Sequence, residues 1–274
     1  MTGKEGNAAP WPRLCVAVIA LYALTALLTT IGVAGSDWAT ISGGSYEAPS
    51  TTHMLGTNRN GQDVLARGLV ATRTAFEIGL TVAVACVALS ALLGAAAGFF
   101  AGSLLDEAVL WLAGVLDAVP FYLLVIAVAY AMGDHPLSMQ IAMISTYWTT
   151  GARLVRGEAL KLRQLEFVAA ARATGAGAAQ VLWRHVVPGT RHLLLMQATL
   201  SFVAAIKAEA ILSFLGLGVN TGVSWGLMLS EAAGDVARGH YMNLLTATAM
   251  MFGLVLATSL LADGLQRSLD PKQA

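Results

Sequence analysis

Residues able to do chemistry are sparse in this chain of 274 residues. Gly222-Val223-Ser224-Trp225-Gly226 matches the Gly-x-Ser-x-Gly nucleophile pattern. That pattern works where a strand turns sharply into a helix and presents the serine to a base. Here it falls between two long apolar runs, so a chance match is expected. His53, His135, His185, His192 and His240 are scattered and form no His-Glu-x-x-His pair, which argues against a catalytic metal. Lys4, Lys161, Lys207 and Lys272 are the only lysines, and none completes a Gly-x-x-x-x-Gly-Lys-Ser/Thr loop for nucleotide phosphates. Cys15 and Cys86 sit in separate apolar runs, which leaves neither a disulfide framework nor a cysteine zinc site. What remains is a set of polar groups in apolar surroundings: Asp117, Lys207, Glu209 and Ser213. Charge inside a membrane span is costly and faces protein or water. Lys207 and Glu209 are two residues apart, so on one helix they point in different directions. A water-filled pathway or gate, an interhelical polar contact, and a helix that ends near Ile206 are all open readings.

The elements that must position these groups follow from hydropathy. The chain is 57% hydrophobic and 12% charged, with sixteen basic and sixteen acidic side chains. Soluble domains carry about 25% charged residues, and disordered chains are poor in apolar ones, so both classes are excluded. Six runs approach the roughly 20 apolar residues that cross a bilayer as helix. They are Leu14 to Val33, Ile78 to Ala101, Ala108 to Met132, Pro136 to about Ala152, Leu193 to Leu217 and Tyr241 to Ala262. The second and third are expected to form a hairpin across a short polar turn holding Asp106 and Glu107. The fourth carries Gln140, Ser145 and Thr149, so it is expected inside the bundle. Pro120 is expected to kink the third. Trp148, Trp225 and Tyr241 are expected as aromatic anchors at the membrane interfaces.

Basic residues set the orientation, because positively charged loops stay cytoplasmic. With the N-terminus inside, the inner side receives Lys4, Arg13, Arg153, Arg156, Lys161, Arg163, Arg172, Arg184, Arg191, Arg267 and Lys272. The outer side receives only Arg59, Arg67, Arg73 and Arg238. Both termini are therefore expected inside, with 1–72 forming a first helix and outer loop and 73–274 a five-helix core. The first run is longer than a typical signal-peptide core of about 7–15 residues, so an uncleaved helix is expected.

The inner loop, 153–191, is the most informative stretch. Helix formers flank Gly175 and Gly177, and Pro188 closes the segment. Phe167, Ala170, Ala171 and Thr174 recur at helical spacing, as do Val181, Leu182, His185 and Val186. Two short helices joined by a glycine corner are expected. A basic amphipathic loop could lie on anionic lipid, but alanine inserts poorly into membrane and suits a groove on another protein.

The segment Phe167 to Pro188 resembles the cytoplasmic docking loop of binding-protein-dependent ABC importer permeases. Ala169, Ala170 and Ala171 stand at that family's Glu-Ala-Ala triplet, Gly175 at its glycine, and Val186, Val187 and Pro188 at its hydrophobic-x-Pro ending. Ala169 replaces the glutamate, and Glu166 lies one turn earlier. Three further blocks resemble the C-type permease subunit of dipeptide, oligopeptide and nickel importers: His53 to Arg67, Ala208 to Gly218 with Ser224-Trp225-Gly226, and Leu261 to Leu265 with Leu269-Asp270-Pro271.

The resemblance implies an all-α fold of six transmembrane helices, the type I ABC importer permease fold, in a bacterial cytoplasmic membrane. It implies a docking surface of Glu166, Phe167, Ala169, Ala170, Ala171, Gly175, Val186 and Pro188, with Gly175 as the corner and Ala170 and Ala171 as the contact face. It also implies partners: a second, B-type permease, two ATPase subunits that bind ATP and Mg, and an extracytoplasmic solute-binding protein, with no nucleic acid and no cofactor on this chain. Short peptides are the expected cargo, with nickel or metallophore complexes as the alternative. A stand-alone secondary transporter or channel is the rival class, but such a protein has no need of an alanine-faced cytoplasmic loop.

Overall fold

The computed structural model describes residues 11–133, 135–218 and 222–269, so Lys4, Asp270, Pro271 and Lys272 lie outside the described residues. Helices dominate: α1 (Trp11–Thr30), α2 (Val64–Leu89), α3 (Ala95–Phe99), α4 (Leu104–Ala118), α5 (Phe121–Ala131), α6 (Ser138–Leu162), α7 (Glu166–Ala173), α8 (Ala178–Val181), α9 (Val187–Gly189), α10 (Arg191–Phe214), α11 (Trp225–Val236) and α12 (Met242–Leu269). Single π-turns, Ser90–Gly94 and Leu182–Val186, join α2 to α3 and α8 to α9. The only β pairing among the described residues is one bridge between Thr57 and Asp63.

Four helical stretches are long and apolar enough to cross a membrane: Pro12–Thr30, Val64–Phe99, Arg191–Phe214 and Met242–Arg267. A fifth arises if α4 and α5 are taken together, but they are bent by 98° at their junction. The expected kink at Pro120 is thus a break. Val119 is extended, at ψ 133°, and Pro120 supplies the N-cap of α5 at φ −54°. Proline pushes the preceding residue out of the helical region, which explains both values. The expected fourth span corresponds to α6, which is long enough at 25 residues but too polar to qualify. Six apolar spans are therefore not reproduced by length and hydropathy.

The chain divides into two compact units, with boundaries inside α2 at Phe76 and inside α10 at Leu212. One holds α1, the start of α2, α11 and α12. The sequence division at residue 72 differs, since it separates α12 from α1. In this unit the Tyr22 hydroxyl of α1 donates to the Met250 carbonyl of α12 at 2.9 Å. Trp225 is 1% exposed, meets Tyr22 edge-on, and donates from Nε1 to the Gly68 carbonyl at 3.1 Å. It is a core residue rather than an interfacial anchor. Between α10 and α12 lies α11, capped by Ser224, whose Oγ accepts from the Leu227 amide at 3.1 Å. That capping role, with Ser224 in contact with Ser213 at 3.3 Å, accounts for the serine of the nucleophile-like pattern.

The loop before α2 is shorter than expected, because α2 begins at Val64, in a stretch whose charges looked aqueous. Arg67 is 3% exposed and both Glu231 carboxylate oxygens accept from its Nη2 at 2.8 Å, which makes burial tolerable. Asp63 caps α2 by accepting from the Ala66 amide at 2.8 Å, and its other oxygen shares a 2.9 Å hydrogen bond with His53 Nδ1.

In the second unit, α6 is the central element. Ile78, Val82 and Cys86 of α2 join Met143, Trp148 and Ala152 of α6 and Ala205 and Leu212 of α10 in one buried cluster. Trp148 is therefore also a core residue, donating to the Ser145 carbonyl at 3.0 Å. Glycines let backbones meet: a β-carbon at Gly94 would lie 2.5 Å from the Ala152 carbonyl oxygen and 2.9 Å from its α-carbon. One at Gly98 would strike the Arg156 carbonyl. Asp106 and Glu107, expected in a polar turn, lie in the first turn of α4, capped by Ser103. The Asp106 carboxylate is buried and accepts from Arg156 Nε at 2.6 Å and Nη2 at 2.9 Å.

Two outcomes follow. Gly94→Val forces α6 away from the π-turn and should destabilise the protein by about 1–3 kcal/mol, read as a lower unfolding midpoint in detergent; an unchanged midpoint contradicts this packing. The hydrogen bond to Asp63 raises the His53 pKa above its ordinary 6.5. Its stabilising contribution is then complete below the ordinary value and lost as pH rises through the raised one. An NMR titration of the imidazole should give a midpoint above 6.5 that falls in Asp63→Asn; a wild-type midpoint at or below 6.5 refutes the pairing.

Candidate functional site

The segment joining α6 to α10 folds as two short helices around a glycine corner, and the corner closes by main-chain bonds. Gly175 has φ +88°, a left-handed value that glycine adopts without a β-carbon penalty. Its amide donates to the Arg172 carbonyl at 3.0 Å, and the Ala176 amide donates to the Ala171 carbonyl at 3.1 Å. This is a Schellman ending, with the small apolar pair Ala171 and Ala176 flanking it. Gly177 then starts α8, its carbonyl accepting from the Val181 amide at 3.0 Å.

One side of this hairpin is anchored. Val168 of α7, Val181 of α8, and Leu182 and Val186 of the following π-turn are buried against Ala95 and Phe99 of α3 and Val155 and Ala159 of α6. Each fully buried valine or leucine of this kind contributes about 1.5–3 kcal/mol. Phe99 is the hub: its carbonyl accepts from Arg163 Nη1 at 3.3 Å, and the Arg172 guanidinium stands 4.8 Å above its ring. Of the stripe expected from Val181, Leu182, His185 and Val186, the three apolar residues are therefore the inward face, while His185 is half-buried.

The opposite side is open. Glu166, Phe167, Ala169, Ala170 and Ala173 are exposed on α7, whereas Ala171 is half-buried and packs toward the platform. The Phe167 ring lies 6.0 Å from that of His185. Of the residues singled out in the sequence, Glu166, Phe167, Ala169 and Ala170 thus share the outward surface, Gly175 forms the corner, and Ala171 and Val186 face inward. Pro188 is exposed within α9, just before the break at Thr190 that precedes α10. Leu165 and Trp183, 45% and 49% exposed, add an apolar rim that the periodicity did not single out. The signal was their position off the buried stripe, next to residues on it.

The polar residues inside the apolar runs do not form one constellation. Asp117, at the end of α4, pairs with Arg153 at 2.6 Å and accepts from the Thr149 hydroxyl at 2.8 Å, so it ties α4 to α6. Lys207 is exposed on α10 while Glu209 is buried, as expected from their two-residue separation. Because α10 continues to Phe214, a helix end near Ile206 is excluded. Ser213 is buried and meets the Ser224 cap. An anchored inner face, an open alanine-rich outer face and a rigid corner can bind a protein groove.

Comparison with known proteins shows the family. Residues 90–274 match the family described as "Binding-protein-dependent transport system inner membrane component". A putative peptide transport system permease protein of Brucella suis is 34% identical over 261 residues, covering 95% of this chain and 87% of that protein. The dipeptide transport system permease protein DppC of Bacillus subtilis is 32% identical, covering 82% of this chain and 70% of that protein. The oligopeptide transport system permease protein OppC of Mycobacterium bovis is 34% identical, covering 82% and 78%. With a family match over more than half its length and relatives above 30% identity over most of it, the chain belongs to the inner-membrane components of binding-protein-dependent transport systems, as a permease subunit of an ABC importer.

Proposed function

We propose that the chain forms half of a translocation pathway for short peptides and docks α7 into a groove on a separate ATPase subunit, which binds ATP and Mg. The observation that carries this reading is the exposed alanine face of α7, held on a platform continuous with α3 and α6. A push on the docking surface is transmitted through Val168 and Phe99 to α6, whose inner half also carries Arg153 and Arg156, the partners of Asp117 and Asp106. The names of the relatives, which include a glutathione transport system permease protein of Pectobacterium atrosepticum at 35% identity, support peptides as cargo.

The remaining partners are a second permease of B-type, a second ATPase and an extracytoplasmic binding protein. Both termini lie inside, which puts the basic residues around α7 on the cytoplasmic face and the segment 34–63 outside.

Ala170→Trp should place a bulky ring in the docking contact. ATP-driven peptide uptake into vesicles carrying the complete transporter should fall about tenfold or more, with membrane insertion and permease pairing intact; wild-type uptake refutes the docking assignment. For orientation, single cysteines at Ala170 and Thr51 should react with a membrane-impermeant maleimide from the inner and outer sides respectively. The reverse pattern overturns the topology.

A further inference from the structure

A pocket of about 320 Å³ opens where the segment 46–58 meets the turn from α11 to α12, with Tyr46, Asp235, His240 and Asn243 among its walls. Its chemistry is one-sided. Asp235 is 2% exposed, and its carboxylate has a single side-chain hydrogen bond, accepted from the Tyr46 hydroxyl at 2.7 Å. Among the described residues it makes no ion pair. Asn243 is 3% exposed; its Nδ2 is spent on the Met228 carbonyl and Glu231, and its Oδ1 is buried with no hydrogen-bond partner. Buried polar groups of this kind are nearly always satisfied, so an orphaned acceptor beside an unpaired carboxylate calls for a donor.

The walls suit a cation. Tyr46 and His240 stack at 3.9 Å with ring planes 2° apart. Among the described residues no lysine or arginine lines the pocket; Arg238 stands at its rim, with Nη1 3.3 Å from the Tyr46 hydroxyl. Tyr46 holds φ +57°, an unfavourable value for a residue with a β-carbon. Strain of this sort persists where the surroundings enforce it and gathers at ligand sites.

We propose that this pocket binds an organic ammonium group, the amino terminus of a short peptide on its way into the pathway. Three N–H donors on one charged centre match the Asp235 carboxylate and Asn243 Oδ1, with the aromatic faces adding cation–π attraction. The volume accommodates a terminal residue or two. The inference rests on the importer reading and on 34–63 facing outward.

The test uses the complete transporter in lipid nanodiscs, without binding protein or nucleotide, probed by saturation-transfer NMR with trialanine and N-acetyl-trialanine. Trialanine should receive saturation from the protein and the acetylated peptide should not, and Asp235→Asn should weaken the trialanine response about tenfold. Equal responses from the two peptides in the wild type overturn the proposal even where the variant folds poorly. So does a full trialanine response in folded Asp235→Asn. His240→Ala, which removes an exposed wall and leaves the buried carboxylate in place, should weaken the response in the same direction. Loss of binding-protein affinity in Asp235→Asn with no trialanine contact in the wild type would assign the pocket to protein docking and overturn it as well. Binding-protein-stimulated ATP hydrolysis in the same preparation reports on the importer reading separately: its absence speaks against that reading, and its presence beside a silent pocket speaks against this one.

Discussion

The second unit depends on backbone-to-backbone contact between α6 and the α2–α3 stretch. Lipid offers no hydrophobic drive for one helix to seek another, so association rests on close van der Waals packing and on polar bonds between helices. Gly94 and Gly98 bring the chain against Ala152 and Arg156 with no side chain between. The π-turn at Ser90–Gly94 adjusts the face so that Ser90 donates to the Trp148 carbonyl at 3.2 Å while Gly94 lies one turn on, still against α6. Polar α6 is tolerable because so much of it is covered, and the ion pairs Asp106–Arg156 and Asp117–Arg153 hold α4 to the same helix.

Given that shaft, the α7–α9 segment has something firm to stand on. The buried cluster beneath α7 uses residues from α3 and α6, so the loop is an extension of the packed bundle rather than a tether hung from it. The first unit solves a different problem, that of burying charge near the ends of its helices. Arg67 Nη2 donates to both carboxylate oxygens of Glu231, and around them the Asn58 and Gln62 side chains brace the loop through a 2.9 Å hydrogen bond.

Much of this was legible because glycine and hydrophobic period are local signals. The corner at Gly175, the stripe of Val181, Leu182 and Val186, and the opposed directions of Lys207 and Glu209 all follow from spacing. What escaped depended on partners distant in sequence. Arg67 looked aqueous because Glu231 is 164 positions away, so the start of α2 was lost to the loop. Trp225 and Trp148 looked interfacial because their burial depends on Gly68 and on α2. Ala171 shares a helical stripe with Ala170, yet a stripe does not say which edge meets the platform; only Val168, buried beneath, decides that. Pro120 shows the opposite failure, a strong local signal whose consequence, a 98° break rather than a kink, is set by where α5 finds its packing.

The corner at Gly175 is closed by two amide-to-carbonyl bonds, and the side-chain bond there, from the Thr174 hydroxyl to the Ala171 carbonyl at 2.9 Å, comes from a residue beyond the end of α7. Its shape is therefore indifferent to the residues displayed on α7. Recognition and architecture are written in separate alphabets: the main chain fixes the angle at which the helix is offered, and the exposed side chains state to whom. On the docking reading proposed above, a permease can keep one mechanical joint and change only the lettering that its ATPase meets.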